Sequence, residues 1–291
     1  MTAVPYTPAR RRSRPVSRVQ YLLGAIAILL ALIMLLPLVA AVLASVKPVR
    51  EAAAVPPTYL PHGLSTESYG HLWAYQAGLP TYLFNSFATA FLAFGLTLVL
   101  GVPAAYALAR LRVPGREPIF VFLLLALIVP YQALLTPIFL QFAAWGLTNS
   151  VIGLALVHTA IQFPFSIYVL RNSFEAVPRD LEEAAQIDGS SSLQILLLIF
   201  LPMIVPAIVT VSLFAFITSW NEFLGALVMM NRQDKFTLPL ILTAARTQTS
   251  LGGTDWGMLQ AGVVISILPC VAIYLLLQKY YVSGLLSGAV K

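Results

Sequence analysis

Few residues in this 291-residue chain are placed to do chemistry. Of its eleven acids, only Glu222 falls inside a long apolar run. It lies about 19 residues into that run, about 29 Å of helical rise, so it is expected at the outer interface and not at a midplane proton relay. His158 lies nearer mid-run, where a lone histidine reads as hydrogen-bonded packing ahead of a relay member. His62 and His71 share a loop, but their spacing makes a poor metal-ligand set, and Cys270 is the single cysteine. No metal site and no catalytic residue is therefore expected, because a membrane enzyme needs a clustered set of acids or ligands at one face. A phosphate-binding loop requires a lysine followed by serine or threonine after a glycine-rich turn. Lys47, Lys235 and Lys279 precede proline, phenylalanine and tyrosine, and Lys291 is the last residue given. ATP hydrolysis by this chain is excluded on that ground.

The segment from Asp180 to Gly189 carries a different kind of signal. Asp180 with Glu183 three positions on approaches a capping box, Glu182 adds negative charge to the first turn, and Gly189 can stop a helix. A helix of about nine residues is marginal in water, where fewer than roughly 12–15 residues rarely hold, so it must dock on something. Leu181, Ala184, Ala185 and Asp188 share one face at helical spacing. That face fits a groove on a partner protein, and equally a turn packed on its own bundle.

The surrounding elements follow from composition. The chain is 59% hydrophobic and 10% charged, with a mean hydropathy of +0.86, far from a soluble domain's quarter of charged residues. A hydrocarbon core about 30 Å thick needs roughly 20 apolar residues per helix. Six segments qualify: 21–46, 84–109, 119–140, 151–170, 203–228 and 258–279. Their continuity excludes the short alternating strands of a β-barrel. The first is too long for a signal-peptide core and reads as an uncleaved anchor.

Positive loops stay cytoplasmic. With the N-terminal tail inside, the inner side holds Arg10, Arg11, Arg12, Arg14, Arg18, Arg110, Arg112, Arg116, Arg171, Arg179, Lys279 and Lys291. The outer side holds Lys47, Arg50, Arg232, Lys235 and Arg246. Both termini are expected in the cytoplasm, and the arginine cluster reads as a topology signal with no nucleic-acid partner. The organisation is a basic tail (1–20), a six-helix membrane domain (21–279) with one long inner loop (171–198), and a C-terminal tail (280–291). The outer loop 47–83, rich in proline and aromatics, is expected to pack irregularly over the outer mouth.

Glu183-Ala184-Ala185, three residues, Gly189, nine residues, then Ile199, Leu201 and Pro202 resemble the EAA loop of binding-protein-dependent ABC importer permeases. Ser219-Trp220-Asn221-Glu222-Phe223, Thr237-Leu238-Pro239-Leu240 and the tail from Gln278 to Lys291 are similar to the shorter permease of the maltose-type carbohydrate branch. The likeness runs from about Arg18 onward. Departures are Ser190, where that branch has alanine, and Leu193, Leu196 and Leu197, at positions often aromatic or basic.

The resemblance implies an all-α integral membrane protein of the type I ABC importer permease fold, with six transmembrane helices. It implies a coupling helix in which Leu181, Glu183, Ala184, Ala185, Asp188 and Gly189 meet a partner ATPase, and a tail in which Gly284, Gly288 and Lys291 reach between two ATPase subunits. The implied partners are a second permease subunit, dimeric ATPase subunits and an extracytoplasmic solute-binding protein. No cofactor is expected on this chain itself, since ATP is bound by the ATPase. The implied cargo is a sugar. Trp220 and Asn221 are candidates for its path, because carbohydrate sites pair aromatic faces with hydrogen-bonding groups; interfacial anchoring is the other reading. A polyol or glycerol-phosphate cargo fits the same residues, and an ion-coupled secondary transporter is the rival class.

Overall fold

The computed structural model describes residues 18–54, 56–245 and 254–289, the stretch 279–289 by its backbone. The arginines of the basic tail before Arg18, Arg246 and Lys291 lie outside the described residues.

In chain order the helices are α1 (Arg18–Ser45), α2 (Val49–Ala52), α3 (Glu67–Ala74), α4 (Leu79–Arg110), α5 (Arg116–Ala126), α6 (Tyr131–Ala144) and α7 (Val151–Glu175). There follow α8 (Arg179–Ile187), α9 (Ser192–Ile195), a π-helical turn (Leu196–Phe200), α10 (Leu201–Met203) and α11 (Val205–Asn221). The rest comprises α12 (Leu224–Met229), a short 3₁₀ turn (Gln233–Lys235), α13 (Leu238–Ala245) and α14 (Trp256–Ala289).

Four helices, α1, α4, α7 and α14, are long and apolar enough to cross a membrane unaided. Two further crossings exist only if bent pairs are counted as spans: α5 with α6, bent by 102°, and Ser192–Met203 with α11, bent by 81°. The expected continuous segments 119–140 and 203–228 are thus corrected. The first breaks at the turn before Pro130, which forms the N-cap of α6. The second breaks twice, at Ile204 ahead of Pro206 and again at Glu222. Proline supplies no N–H and disfavours helix at the residue before it. Pro202 leaves the Leu198 carbonyl without its usual donor, and the helix there widens into the π turn, a common answer to such a defect. Loop 47–83 is also more ordered than expected. It contains α2 and α3 and a polar latch in which Lys47 donates to Thr58 and the Glu51 carboxylate accepts from Thr58 and His62.

The centre of the bundle is the pairing of α4 with α7. The buried face of α4 carries Ala93, Thr97, Gly101 and Ala105 at four-residue intervals, and small residues at that spacing let backbones approach closely in lipid. Gly101 faces Leu170 and Ser166 of α7. Two main buried clusters flank this seam. One gathers Tyr106, Phe174, Ile195, Phe200, Ile204 and Val211 around the end of α4. The other joins Leu72, Tyr82, Phe216, Trp220, Leu238 and Met258 at the opposite end.

Gly153 tests the closeness of the turn that leads into α7, since a β-carbon there would fall 2.0 Å from the Leu147 carbonyl oxygen. Backbone cannot yield as a side-chain tip can, so Gly153→Ala should destabilise the chain by about 2–3 kcal/mol, the upper range for overpacking. Thermal unfolding in detergent checks this; an unshifted transition would refute the contact.

Candidate functional site

Helix α8 forms as the residue pattern requires, but its two ends are built differently from expectation. Pro178 occupies the N-cap and no side chain caps the helix, so Asp180, inside the first turn, does not serve as the expected cap. The capping box appears one element later, where Ser191 and Gln194 satisfy each other's backbone amides. At the C-terminus the expectation for Gly189 holds. It adopts φ +82°, the Gly189 amide donates to Gln186, and the Ser190 amide donates to Ala185. These two bonds make the Schellman pattern, whose left-handed position disfavours any residue with a β-carbon.

The helix presents two faces. Ala185 is 8% exposed and packs into its own bundle with Phe174, Ile195 and Phe200. Glu183, Ala184 and Asp188 face outward with Leu181, and Ile187 is 87% exposed. The expected coupling residues therefore divide into one that seats the helix and several that remain free. Ile187 was not singled out from sequence, although its place three residues after Ala184 puts it on the same open face.

The seat is held by Arg110, the last residue of α4. Its guanidinium donates to the carbonyls of Phe174, in the last turn of α7, and Val177, in the link to α8, with Nε 3.1 Å from the Phe174 oxygen. Nη1 stands 3.6 Å from the Glu182 carboxylate of α8, and the guanidinium carbon lies 5.0 Å from the Phe200 ring centroid. One buried cation thus neutralises helix-end carbonyls, pairs an acid and covers an aromatic face. Arg171 repeats the device nearby, bonding Glu175 and Glu117 and lying over Phe120. Sequence reading used both arginines only as topology markers; their partners lie up to 67 residues away. Beside α8 a cleft of about 340 Å³ opens between Arg110, Arg112, Arg116, Arg179, Glu182 and Glu183.

The opposite end holds the remaining candidates. Trp220 is sealed in the core, stacked on Phe216 and donating from Nε1 to the Ser266 carbonyl at 3.0 Å. Asn221 is exposed and lines a depression of about 450 Å³ with Tyr131, Gln132 and Thr218. The structure separates this pair, leaving only Asn221 open to a passing solute. Glu222 lies in the break after α11 and not within a helix, which corrects its expected place. Its carboxylate accepts from the Gly225 and Ala226 amides at the start of α12. His158 joins it, with Nδ1 2.7 Å from Ser219 Oγ and Nε2 3.1 Å from Glu222 Oε2. Gly284 and Gly288 fall within α14, which runs on past residue 279.

Residues 97–285 match the family model described as "Binding-protein-dependent transport system inner membrane component". That stretch is more than half of the chain and includes α8 and its seat. The chain belongs to this family: it is a permease subunit of an ABC importer. Among curated relatives, a probable ABC transporter permease of Bacillus subtilis is 34% identical, with 80% of this chain and 76% of the relative covered. The diacetylchitobiose uptake permease DasC of Streptomyces coelicolor is 32% identical, covering 84% and 87%. A sulfoquinovosyl glycerol transport permease of Agrobacterium fabrum is 33% identical, covering 88% and 89%. The permease fold is shared with a chain of a bacterial ABC transporter that imports the acidic polysaccharide alginate, at a TM-score of 0.79 and 25% identity over 92% of this chain and all of that one. This is the all-helical type I permease fold of an integral membrane protein, a translocation component.

Breaking the Arg110 arrangement isolates its contribution. Truncating one partner of a buried ion pair costs about 3–5 kcal/mol, so Arg110→Gln should accelerate amide exchange across residues 179–187 by at least roughly tenfold. The middle of α4 should stay protected; equal protection of α8 in both proteins would remove Arg110 from this role.

Proposed function

We propose that this permease carries a sugar or glycoside across the plasma membrane and is driven through α8 by a separate ATPase. The observation that carries the coupling assignment is the open face of α8. A nine-residue helix clamped on one side by Ala185 and Arg110, and offering Ala184, Ile187 and Leu181 flanked by acids on the other, is a rigid ridge for a groove. Small side chains at its crest allow close approach, and Asp188 and Gly189 fix where the ridge ends. The assembly comprises a second permease subunit, two ATPase subunits that bind the ATP, and an extracytoplasmic solute-binding protein. Both termini and α8 face the cytoplasm on this reading, and the tail through Gly284, Gly288 and Lys291 extends toward the ATPases. Closure of the ATPases moves α8, and the equilibrium between outward and inward states shifts only through contacts that differ between them.

The cargo class rests on the relatives, whose names include diacetylchitobiose and sulfoquinovosyl glycerol. Asn221 is the residue assigned to the path, with Gln132 and Thr218 beside it as further hydrogen-bonding groups. A polyol or glycerol-phosphate cargo is the alternative. The ion-coupled rival would draw on the buried His158–Glu222 pair, but Ser219, Gly225 and Ala226 already occupy these groups.

The deciding experiment reconstitutes the full complex and measures solute-stimulated ATP hydrolysis and uptake for wild type and Ile187→Asp. A central interface residue is worth about 2 kcal/mol or more, so both rates should fall by roughly tenfold or more while insertion and helix α8 persist. Undiminished uptake would sink the coupling assignment. In the same assay, stimulation by glycerol phosphate and not by oligosaccharides would replace the sugar reading with its alternative.

A further inference from the structure

The cleft beside α8 holds more positive charge than the coupling role uses. Arg110 spends its charge on Glu182 and on the end of α7, and Glu117 is drawn to Arg171 at 2.7 Å. Arg112 and Arg179 have no acidic partner among the described residues, and Arg116 reaches only the shared Glu117 at 3.4 Å. Glu183 is the one carboxylate on the wall that no arginine engages. A net cationic cleft of about 340 Å³ remains, large enough for a phosphate group and its ester.

Its position names the partner. Arg110 ends the long apolar helix α4 and Arg116 begins the apolar helix α5, so Arg112 and Arg116 stand at the depth where hydrocarbon gives way to headgroups. One turn into α5, Ile119 is 44% exposed and Phe122 72% exposed. A phosphate held by arginines with an apolar surface one turn deeper fits a phospholipid better than a soluble anion. Guanidinium groups match phosphate oxygens bidentately, and basic pockets between membrane helices are recognised sites for anionic headgroups. We propose that Arg112, Arg116 and Arg179 bind the phosphate of an anionic phospholipid, whose acyl chains lie along α5. A lipid so placed bridges the α4–α5 turn to the first residue of α8, and couples the composition of the bilayer to the seating of that helix. This site goes beyond the ATPase-coupling reading and does not depend on it.

The test uses the assembled complex in nanodiscs of phosphatidylcholine doped with phosphatidylglycerol, with retained lipids counted by native mass spectrometry. Arg112→Gln/Arg179→Gln should lower the apparent affinity for phosphatidylglycerol roughly 10- to 30-fold, as expected for two arginines at an anionic surface. Phosphatidylcholine retention should stay unchanged. Equal retention of phosphatidylglycerol by wild type and the double variant overturns the proposal. Binding of millimolar inorganic phosphate at the arginines with no phosphatidylglycerol retained also overturns it, by assigning the cleft to a soluble anion. The permease is measured with and without its ATPase: retention in both supports a lipid site, and retention only with the ATPase assigns the arginines to the protein interface. Assembly and ATP hydrolysis, read on the same samples, report separately on the coupling helix.

Discussion

A guanidinium withdrawn from water must find partners for its charge and its N–H groups, and at Arg110 that requirement organises the end of the molecule. Its carbonyl partners lie in the last turn of α7 and just beyond it, its acid in α8 and its aromatic neighbour in the π turn. The full set of contacts forms only when all four segments arrive together. Helix α8 is too short to persist by itself, so its order is borrowed from this junction and from the burial of Ala185. The consequence is a surface helix whose position is defined by the bundle and not by its own propensity. A helix held in that way moves only together with the segments that hold it.

The two ends of the bundle are joined by α11. The cluster around Arg110 includes Ile204 and Val211, at and just beyond the break where α11 begins. The same helix carries Phe216 and Trp220 into the opposite cluster and ends at Asn221, beside the depression. An uninterrupted helix touching both clusters links them mechanically, while the breaks at Ile204 and Glu222 relieve it of rigid continuity with its neighbours. The α4–α7 seam alongside, held by small residues, offers a close-packed surface to move against.

The parts of this arrangement legible in the sequence are those with local causes. A run of acids and alanines closed by glycine marks α8 and its C-terminal end, because helix termination by a left-handed glycine depends only on neighbours in the chain, while its N-cap falls at Pro178, two residues ahead of Asp180. The long apolar helices α1, α4, α7 and α14 follow from length and hydropathy alone. What escapes has distant or geometric causes. Hydropathy counts apolar residues and is blind to direction, so the bends before Pro130 and at Ile204 were absorbed into straight segments. The Trp220 ring looked available because an aromatic beside an asparagine suits a sugar, yet its N–H is spent on a carbonyl 46 residues later. His158 and Glu222, 64 residues apart, carry no mark of their meeting in either local stretch.

Helix α1 has almost no burial of its own. Over its most apolar window only 6% of residues are buried; the helix lies against α14, and near its end Ser45 meets Tyr69. Beyond its contact with α14, most of its surface is left open, yet that surface is as apolar as any core. Substitutions at its exposed positions, such as Leu22, Ile28 and Met34, would act as reporters of surroundings: they disturb little of the subunit's own packing and register what the helix lies against, lipid on one side or a neighbouring subunit on another.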